Sequence, residues 1–392
     1  MKWCGIIVIF CVVLGAVSCA PTNFTSKWHR FFYRSNFLLN NLNIVCGNVI
    51  CYYTGSFGIK VAPPESIDTN LCTHLNYAFV KINENGTLIH NKYVDIKKEM
   101  YKRVASLKKM NPKLKILISI GDTPAAVFSE VAADPDKRHS LIQNTIDFLR
   151  LHGFDGVDVD WEKPYSKDEE NFIHLLKEFK KALETKNYLL SVAVYPYPDA
   201  GYIVPKITEN VDMINIMCYN FYGPWSIYTG HNAALFASPV ESAYERNHLN
   251  TAMGLQNWLK AGATKEKVNV GIPFYGRTFT LADPNDHGFH APITGSGKPS
   301  TATYRQICSN FANYTSVWDD TQKVYYKYYE DQWLTYEEER SVKEKAKYIR
   351  SQNVAGAMIW QIGQDDINGE CGPKQGLLQV VNKYLHEDNN LC

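Results

Sequence analysis

Four carboxylates stand within eight residues of the stretch HGFDGVDVDWEKP (152–164): Asp155, Asp158, Asp160 and Glu162. Gly156, Val157, Val159 and Trp161 are interleaved with them, so acidic and apolar residues alternate with a period of two. In a strand that period puts Asp158, Asp160 and Glu162 on one face and Val157, Val159 and Trp161 on the other. Carboxylates on the same face are about 6–7 Å apart. Away from water they cannot all ionise freely, so coupled and shifted pKa values are expected. Such a row suits proton transfer, with one carboxyl held as an acid and its neighbours sharing or holding protons. A solvent-facing acidic strand and a metal site are the other uses of such a row. The stretch lacks the Gly and distal Glu of a calcium loop, however, and no paired His lies nearby.

The elements that must position this row repeat along the chain. Apolar runs rich in β-branched and aromatic residues recur at 48–53, 73–80, 114–121, 154–161, 188–196, 211–219, 267–275 and 354–362. Amphipathic stretches of helical period separate them. In SLIQNTIDFLRLHG (140–153), Leu141, Ile142, Thr145, Ile146, Phe148 and Leu149 form one stripe and Gly153 is a stop. After the acidic run, Ser166 and Glu169 read as a capping box ahead of the stripe Phe172, Leu175, Leu176, Phe179 and Leu183. Strand and helix in alternation argue for a parallel sheet covered by helices, and eight strands close a (β/α)8 TIM barrel; an open doubly wound sheet is the alternative. In the barrel the acidic face points inward and Glu162 lies uppermost, at the carboxyl end where barrel active sites form. The rhythm breaks between Tyr275 and about Ser341, too long for an ordinary loop, which reads as a small α+β insertion after the seventh strand.

The expected organisation is a signal peptide over 1–20, an extension of uncertain structure over 21–47, the barrel over 48–277 and 341–388, and the insertion over 278–340. The leader follows from a lysine, an apolar run and small residues, CGIIVIFCVVLGAV then Ser18, Cys19 and Ala20. No later stretch has the ~20 apolar residues of a membrane span, so a secreted, extracellular protein with no membrane partner is expected. A formal net charge of +1 with scattered Lys and Arg argues against a nucleic-acid partner. Ten cysteines, less Cys4, Cys11 and Cys19 in or beside the leader, leave an odd seven, so disulfides are expected with at least one thiol unpaired within the chain. Asn23, Asn85 and Asn313 begin glycosylation sequons.

At this point the residues resemble a known family. FDGVDVDWE carries the D-x-x-D-x-D-x-E signature of the glycoside hydrolase family 18 chitinases, and the resemblance runs from Val49 to about Leu385. CTHLNYAF, MCYNFYGPW, GIPFYGRTFTL and GAMIWQI support it. Similarity to an animal, arthropod-type secreted chitinase or chitinase-like protein implies a monomer with no cofactor and no metal. Its ligands would be chitin or chito-oligosaccharides, cleaved by an endo-acting, retaining, substrate-assisted reaction. In that scheme Glu162 is the acid, Asp160 holds the acetamido group and Asp158 exchanges a proton beneath it, while Tyr219 contacts the acetamido oxygen. Further implied contacts are Tyr52 and Ser119 as hydrogen-bond partners of Asp158, Trp360 as the floor, Phe79, Met217 and Met358 as lining, Tyr275 and Arg277 as polar contacts, and Trp225 as a stacking surface. The resemblance also implies the disulfides Cys51–Cys72 and Cys308–Cys371, with Cys218 a buried thiol. The other readings are a chitinase-like lectin or growth-factor-type protein and a hydrolase of other N-acetylhexosamine chains.

The sequence departs from the family pattern at Asn220, where an aspartate is usual, and at Ser56, Thr123 and Lys163, where aromatic residues are usual. Three stacking platforms are therefore expected to be absent, weakening the grip on long chains. Thr123→Trp is expected to restore affinity. No Cys-rich module follows Leu385, so crystalline chitin is expected to be a poor substrate.

Overall fold

A computed structural model describes residues 47–199 and 201–387. The leader expected over 1–20, nearly all of 21–47, and Asn23, Cys46 and Cys392 lie outside these residues. The barrel strands are β1 (Asn48–Thr54), β2 (His74–Ile82), β4 (Lys115–Ile120), β5 (Gly156–Asp160), β6 (Leu189–Val194), β7 (Met213–Ile216), β8 (Val268–Pro273) and β14 (Gly356–Trp360). Each pairs in parallel with its neighbours, and β1 pairs with both β14 and β2, which closes the ring. The short β3 (Leu88–Ile89) lies antiparallel against the end of β2. All eight runs read from the sequence form barrel strands; β1 and β2 run one and two residues past the expected ends, and the other six are trimmed by one to three residues at each end.

The insertion follows β8 directly. Strands β9 (Tyr275–Leu281), β10 (Ile293–Thr303), β11 (Thr315–Asp319), β12 (Val324–Tyr329) and β13 (Gln332–Tyr336) form an antiparallel sheet in the order β10-β9-β13-β12-β11. One short helix, Tyr304–Asn310, interrupts them. The first strand of this sheet carries Tyr275 and Arg277 to the rim of the barrel.

Alternation along β5 sorts its side chains as the period of two requires. Val157, Val159 and Trp161 join the cluster between the barrel and its helices. Asp158 and Asp160 point into the barrel beside Tyr52, Ala193 and Met217. The helices α1 (Ala125–Ala133), α2 (Pro135–His152) and α3 (Glu169–Glu184) cover this wall. Helix α2 buries the expected stripe and ends at Gly153, whose φ of 70° is a left-handed conformation open to glycine at low cost. Asp155, off the acidic face, anchors the approach to β5: its carboxylate accepts from Lys108 Nζ at 3.0 Å and from the Ile116 amide at 2.9 Å.

The capping box expected from Ser166 and Glu169 does not form. Ser166–Asp168 make a turn of 3-10 helix, and the Asp168 carboxylate takes the Tyr165 amide and the Ser129 hydroxyl, both at 2.9 Å. The carboxylate one residue earlier reaches back more directly, so Glu169 becomes the first residue of α3.

Trp161 lies next to the acid row and is almost fully buried, stacked on Phe128 of α1 at 5.3 Å and edge-on to Phe172 of α3 at 5.4 Å. Trp161→Ala is expected to lower stability by about 3–5 kcal/mol through lost burial and a residual cavity. Urea unfolding checks this; a change under about 1 kcal/mol would contradict the packing described.

Candidate active site

The lower level of the site is Asp158. Its β4 and β6 neighbours in register are Ser119 and Ser191, so three polar side chains meet at one height inside the barrel. Asp158 Oδ2 accepts from Tyr52 Oη and Ser119 Oγ, each at 2.7 Å. Oδ1 accepts from Ser191 Oγ at 2.5 Å and from Asn215 Nδ2 at 3.4 Å. Burial lifts the Asp158 carboxyl above the usual carboxylate range, and these donors hold back part of the rise.

Asp160 stands above it with less support. It is buried, and its Oδ1 has no hydrogen-bond partner. Burial, and then the charges of Glu162 and Asp158, push it well above the usual range. Glu162 opens onto the cleft, but protein walls crowd its carboxyl. Desolvation raises its pKa, the Tyr195 hydroxyl 3.3 Å from Oε2 opposes that rise, and the charge of Asp122 adds to it. Two adjacent carboxyls thus both resist ionisation, the condition for retaining a transferable proton near neutral pH. The close approach over Asp160 depends on Gly121: a Cβ there would lie 2.6 Å from the Phe79 ring and 3.1 Å from Asp160 Cβ.

The walls come from strand ends. Register slips between Ala78 and Val80, and this irregularity in β2 carries Phe79, whose ring stacks on Trp360 at 5.5 Å and 22°. Tyr52 also meets Trp360, tilted at 52° with ring centroids 5.5 Å apart. Tyr219 Oη is 3.8 Å from Met358 Sδ, and its ring meets Tyr275 edge-on at 6.2 Å. Asn220, at a φ of 59°, receives Tyr275 Oη at 2.5 Å and Arg277 Nη2 at 2.7 Å on Oδ1. That carbonyl is fully engaged, so the Asn220 side chain has only Nδ2 hydrogens to offer a ligand. Arg277 in turn lies 5.3 Å over the exposed Trp225 ring.

These residues enclose a cleft of about 640 Å³ lined by Phe79, Asp160, Glu162, Met217, Tyr219, Asn220, Trp225, Arg277 and Trp360. Tyr275 braces its rim, and Tyr52, Ser119 and Met358 lie beneath it. The disulfides Cys51–Cys72 and Cys308–Cys371 are formed, and Cys218 is a buried thiol whose pKa burial pushes up to about 12. Among the described residues no group of three or more His, Cys, Asp or Glu side chains could hold a metal ion.

Sequence reasoning missed several residues of the site. Ser191 and Asn215 are inward-facing polar residues in otherwise apolar strands, a signal that alternation could have exposed. Tyr195 and Tyr197 line the cleft from the loop after β6 and Tyr244 from the short helix Ala243–His248, and none of them belongs to a periodic run that marks a site. Thr123 is not a bare patch where an aromatic is lacking. It is nearly buried, accepting from the Ile82 amide at 3.1 Å and donating to the Gly121 carbonyl at 3.2 Å. The expected gain from Thr123→Trp therefore fails on geometry, because a bulky ring would break both bonds and overpack the β2 and β4 ends. Lys163 lies 5.7 Å over Tyr195 and 5.9 Å over Tyr197, with Asp199 Oδ2 at 3.7 Å. Beyond Phe79 a second cavity of about 470 Å³ contains exposed Ser56 and the Lys81–Asp122 ion pair at 2.8 Å.

A parallel eight-stranded barrel with paired buried carboxyls at the end of one strand is the architecture of a barrel hydrolase. Residues 48–365 match glycosyl hydrolases family 18, and the chain belongs to that family. It is 34% identical over 375 residues to Chitotriosidase-1 of Mus musculus, covering 88% of this chain and 78% of the mouse protein. It is 31% identical over 379 residues to the endochitinase of Manduca sexta, covering 86% of this chain and 67% of that protein. Among solved structures, the Ostrinia furnacalis Group IV chitinase in complex with allosamidin superposes with a TM-score of 0.83 at 35% identity. That match covers 87% of this chain and 99% of the other.

Proposed function

We propose that this protein hydrolyses β-1,4 linkages between N-acetylglucosamine units by substrate-assisted, retaining catalysis, acting within soluble or amorphous chitin chains after secretion. The observation that carries the reading is the stack Asp158–Asp160–Glu162, with the upper two carboxyls raised together and Asp160 Oδ1 unpartnered. Similarity to proteins named chitinases supports the substrate class.

In this scheme Glu162 gives its proton to the glycosidic oxygen as the bond to the anomeric carbon breaks. The acetamido oxygen of the same sugar attacks that carbon from the opposite face, and a cyclic oxazolinium forms. Asp160, anionic at this stage, accepts from the acetamido N–H and faces the positive charge. Asp158 can hold the displaced proton because its donors tolerate either protonation state. Tyr219 Oη would orient the acetamido oxygen, and the Trp360 face would carry the sugar's apolar C–H groups. Glu162 then removes a proton from water, which opens the ring.

Sugar units beyond the reacting one would meet Tyr197 and Tyr244 on the cleft wall, a surface in place of the platforms absent at Ser56, Thr123 and Lys163. Tyr244 is exposed and stacks one face on His248 at 4.3 Å. Tyr244→Ala is expected to raise KM for chitopentaose roughly fivefold, the equivalent of about 1 kcal/mol of stacking, with kcat little changed. An unchanged KM would remove this wall from the binding surface. The reading as a whole is tested by incubating labelled chitotetraose with the protein: shorter labelled products support it. Tight binding without cleavage would favour a carbohydrate-binding protein.

A further inference from the structure

We infer that Tyr195 is a positioning residue for the acid Glu162, an inference that rests on the hydrolase reading. It begins where β6 ends, and its hydroxyl donates to Glu162 Oε2 at 3.3 Å across the cleft. Three contacts hold the residue in place. Trp258 Nε1 donates to the Tyr195 carbonyl at 2.7 Å, the Tyr195 amide donates to Tyr202 Oη at 3.4 Å, and Lys163 Nζ lies 5.7 Å over the ring. Lys163 follows Glu162 directly in the chain, so the backbone that carries the acid also carries the cation that seats its partner.

The other ionisable groups facing Glu162 do not restrain it in this way. Asp160 of β5 and Asp122 after β4 are carboxyls, and each raises the energy of a second negative charge. Tyr219 after β7 and Tyr275 on β9 interact with Glu162 through space, but their hydroxyls lie against Met358 Sδ and Asn220 Oδ1. Tyr195 supplies the hydrogen bond to the carboxyl. It therefore keeps Oε2 engaged and leaves Oε1 to face the scissile oxygen.

Tyr195→Phe keeps the ring, the cation contact and the backbone anchors while removing the hydroxyl. Its kcat on chitotetraose is expected to fall roughly tenfold, a fraction of the ~10²–10⁴ that a positioned acid supplies, with KM within about twofold. An umbelliferyl chitobioside, whose leaving group departs with little protonation, should lose at least several-fold less. The hydroxyl stabilises the ionised carboxyl, so its removal raises the Glu162 pKa. Since the acid must be protonated, the alkaline limb of the kcat profile moves to higher pH. Equal losses on both substrates, an unmoved limb, or a kcat within twofold of wild type would each overturn the assignment. A wild-type protein that cleaves neither substrate would overturn the hydrolase reading, and this assignment with it.

Discussion

Glu162→Gln is expected to lower kcat on chitotetraose by about 10²–10⁴-fold while leaving the dissociation constant within about threefold. The glutamine amide matches the carboxyl in size and can still receive the Tyr195 hydroxyl now 3.3 Å from Oε2. It has no proton to give the leaving oxygen. Removing the charge also relieves Asp160, whose carboxyl is pushed up by burial first and by Glu162 next. Binding should therefore hold or improve as chemistry stops. Calorimetric titration and a stopped assay on the same sample separate the two. Equal turnover by variant and wild type would show that the acid is elsewhere.

Asp160→Asn should trade activity against stability. The asparagine keeps the shape but cannot carry the charge that faces the cyclic intermediate, so kcat should fall by about 10²–10³-fold. The fold should gain. Asp160 is buried with an unpartnered Oδ1, and its folded pKa lies above its unfolded value. For such a carboxyl the folded state binds its proton more tightly. Wild-type stability from this group is thus present at low pH and is lost as pH rises from the unfolded pKa through the folded one. Asparagine does not titrate, so the variant's advantage should be small near pH 5 and grow to about 1–2 kcal/mol by pH 8. Urea unfolding at the two pH values checks the sign. A variant less stable than wild type at pH 8 would mean that the Asp160 charge is compensated by a group not identified in the site.

The barrel could be read from the sequence because its strands are buried on both faces. Val157, Val159 and Trp161 needed an apolar layer outside, and the carboxylates needed an interior that only a closed barrel provides at that height. The site's lower half was legible for the same reason: strand alternation fixes which side chains share a face. Ser191 and Asn215 obeyed that rule and were overlooked as isolated polar residues in apolar runs. The rim was less legible. Whether Thr123 faces the cleft or ties β2 to β4 depends on a loop path that local pattern does not encode. The positions of Tyr195 and Lys163 over one another depend on backbone after β5 and β6, which belong to no periodic element. Asn220 was visible as a departure. That its carbonyl is occupied by Tyr275 and Arg277 follows only from a sheet inserted far along the chain.

Substrate-assisted catalysis makes one demand that other barrel mechanisms need not meet. The acetamido oxygen and then water attack the same carbon from opposite faces, so two inversions return the β configuration. Proton NMR of chitotetraose, followed from the first minute after adding the protein, reads cleavage and anomer together. The β-anomer signal of the new reducing end should rise first, with α appearing later by mutarotation. A new α signal at the outset, or no new anomeric signal while the sugar is bound, would contradict the mechanism assigned to Asp158, Asp160 and Glu162.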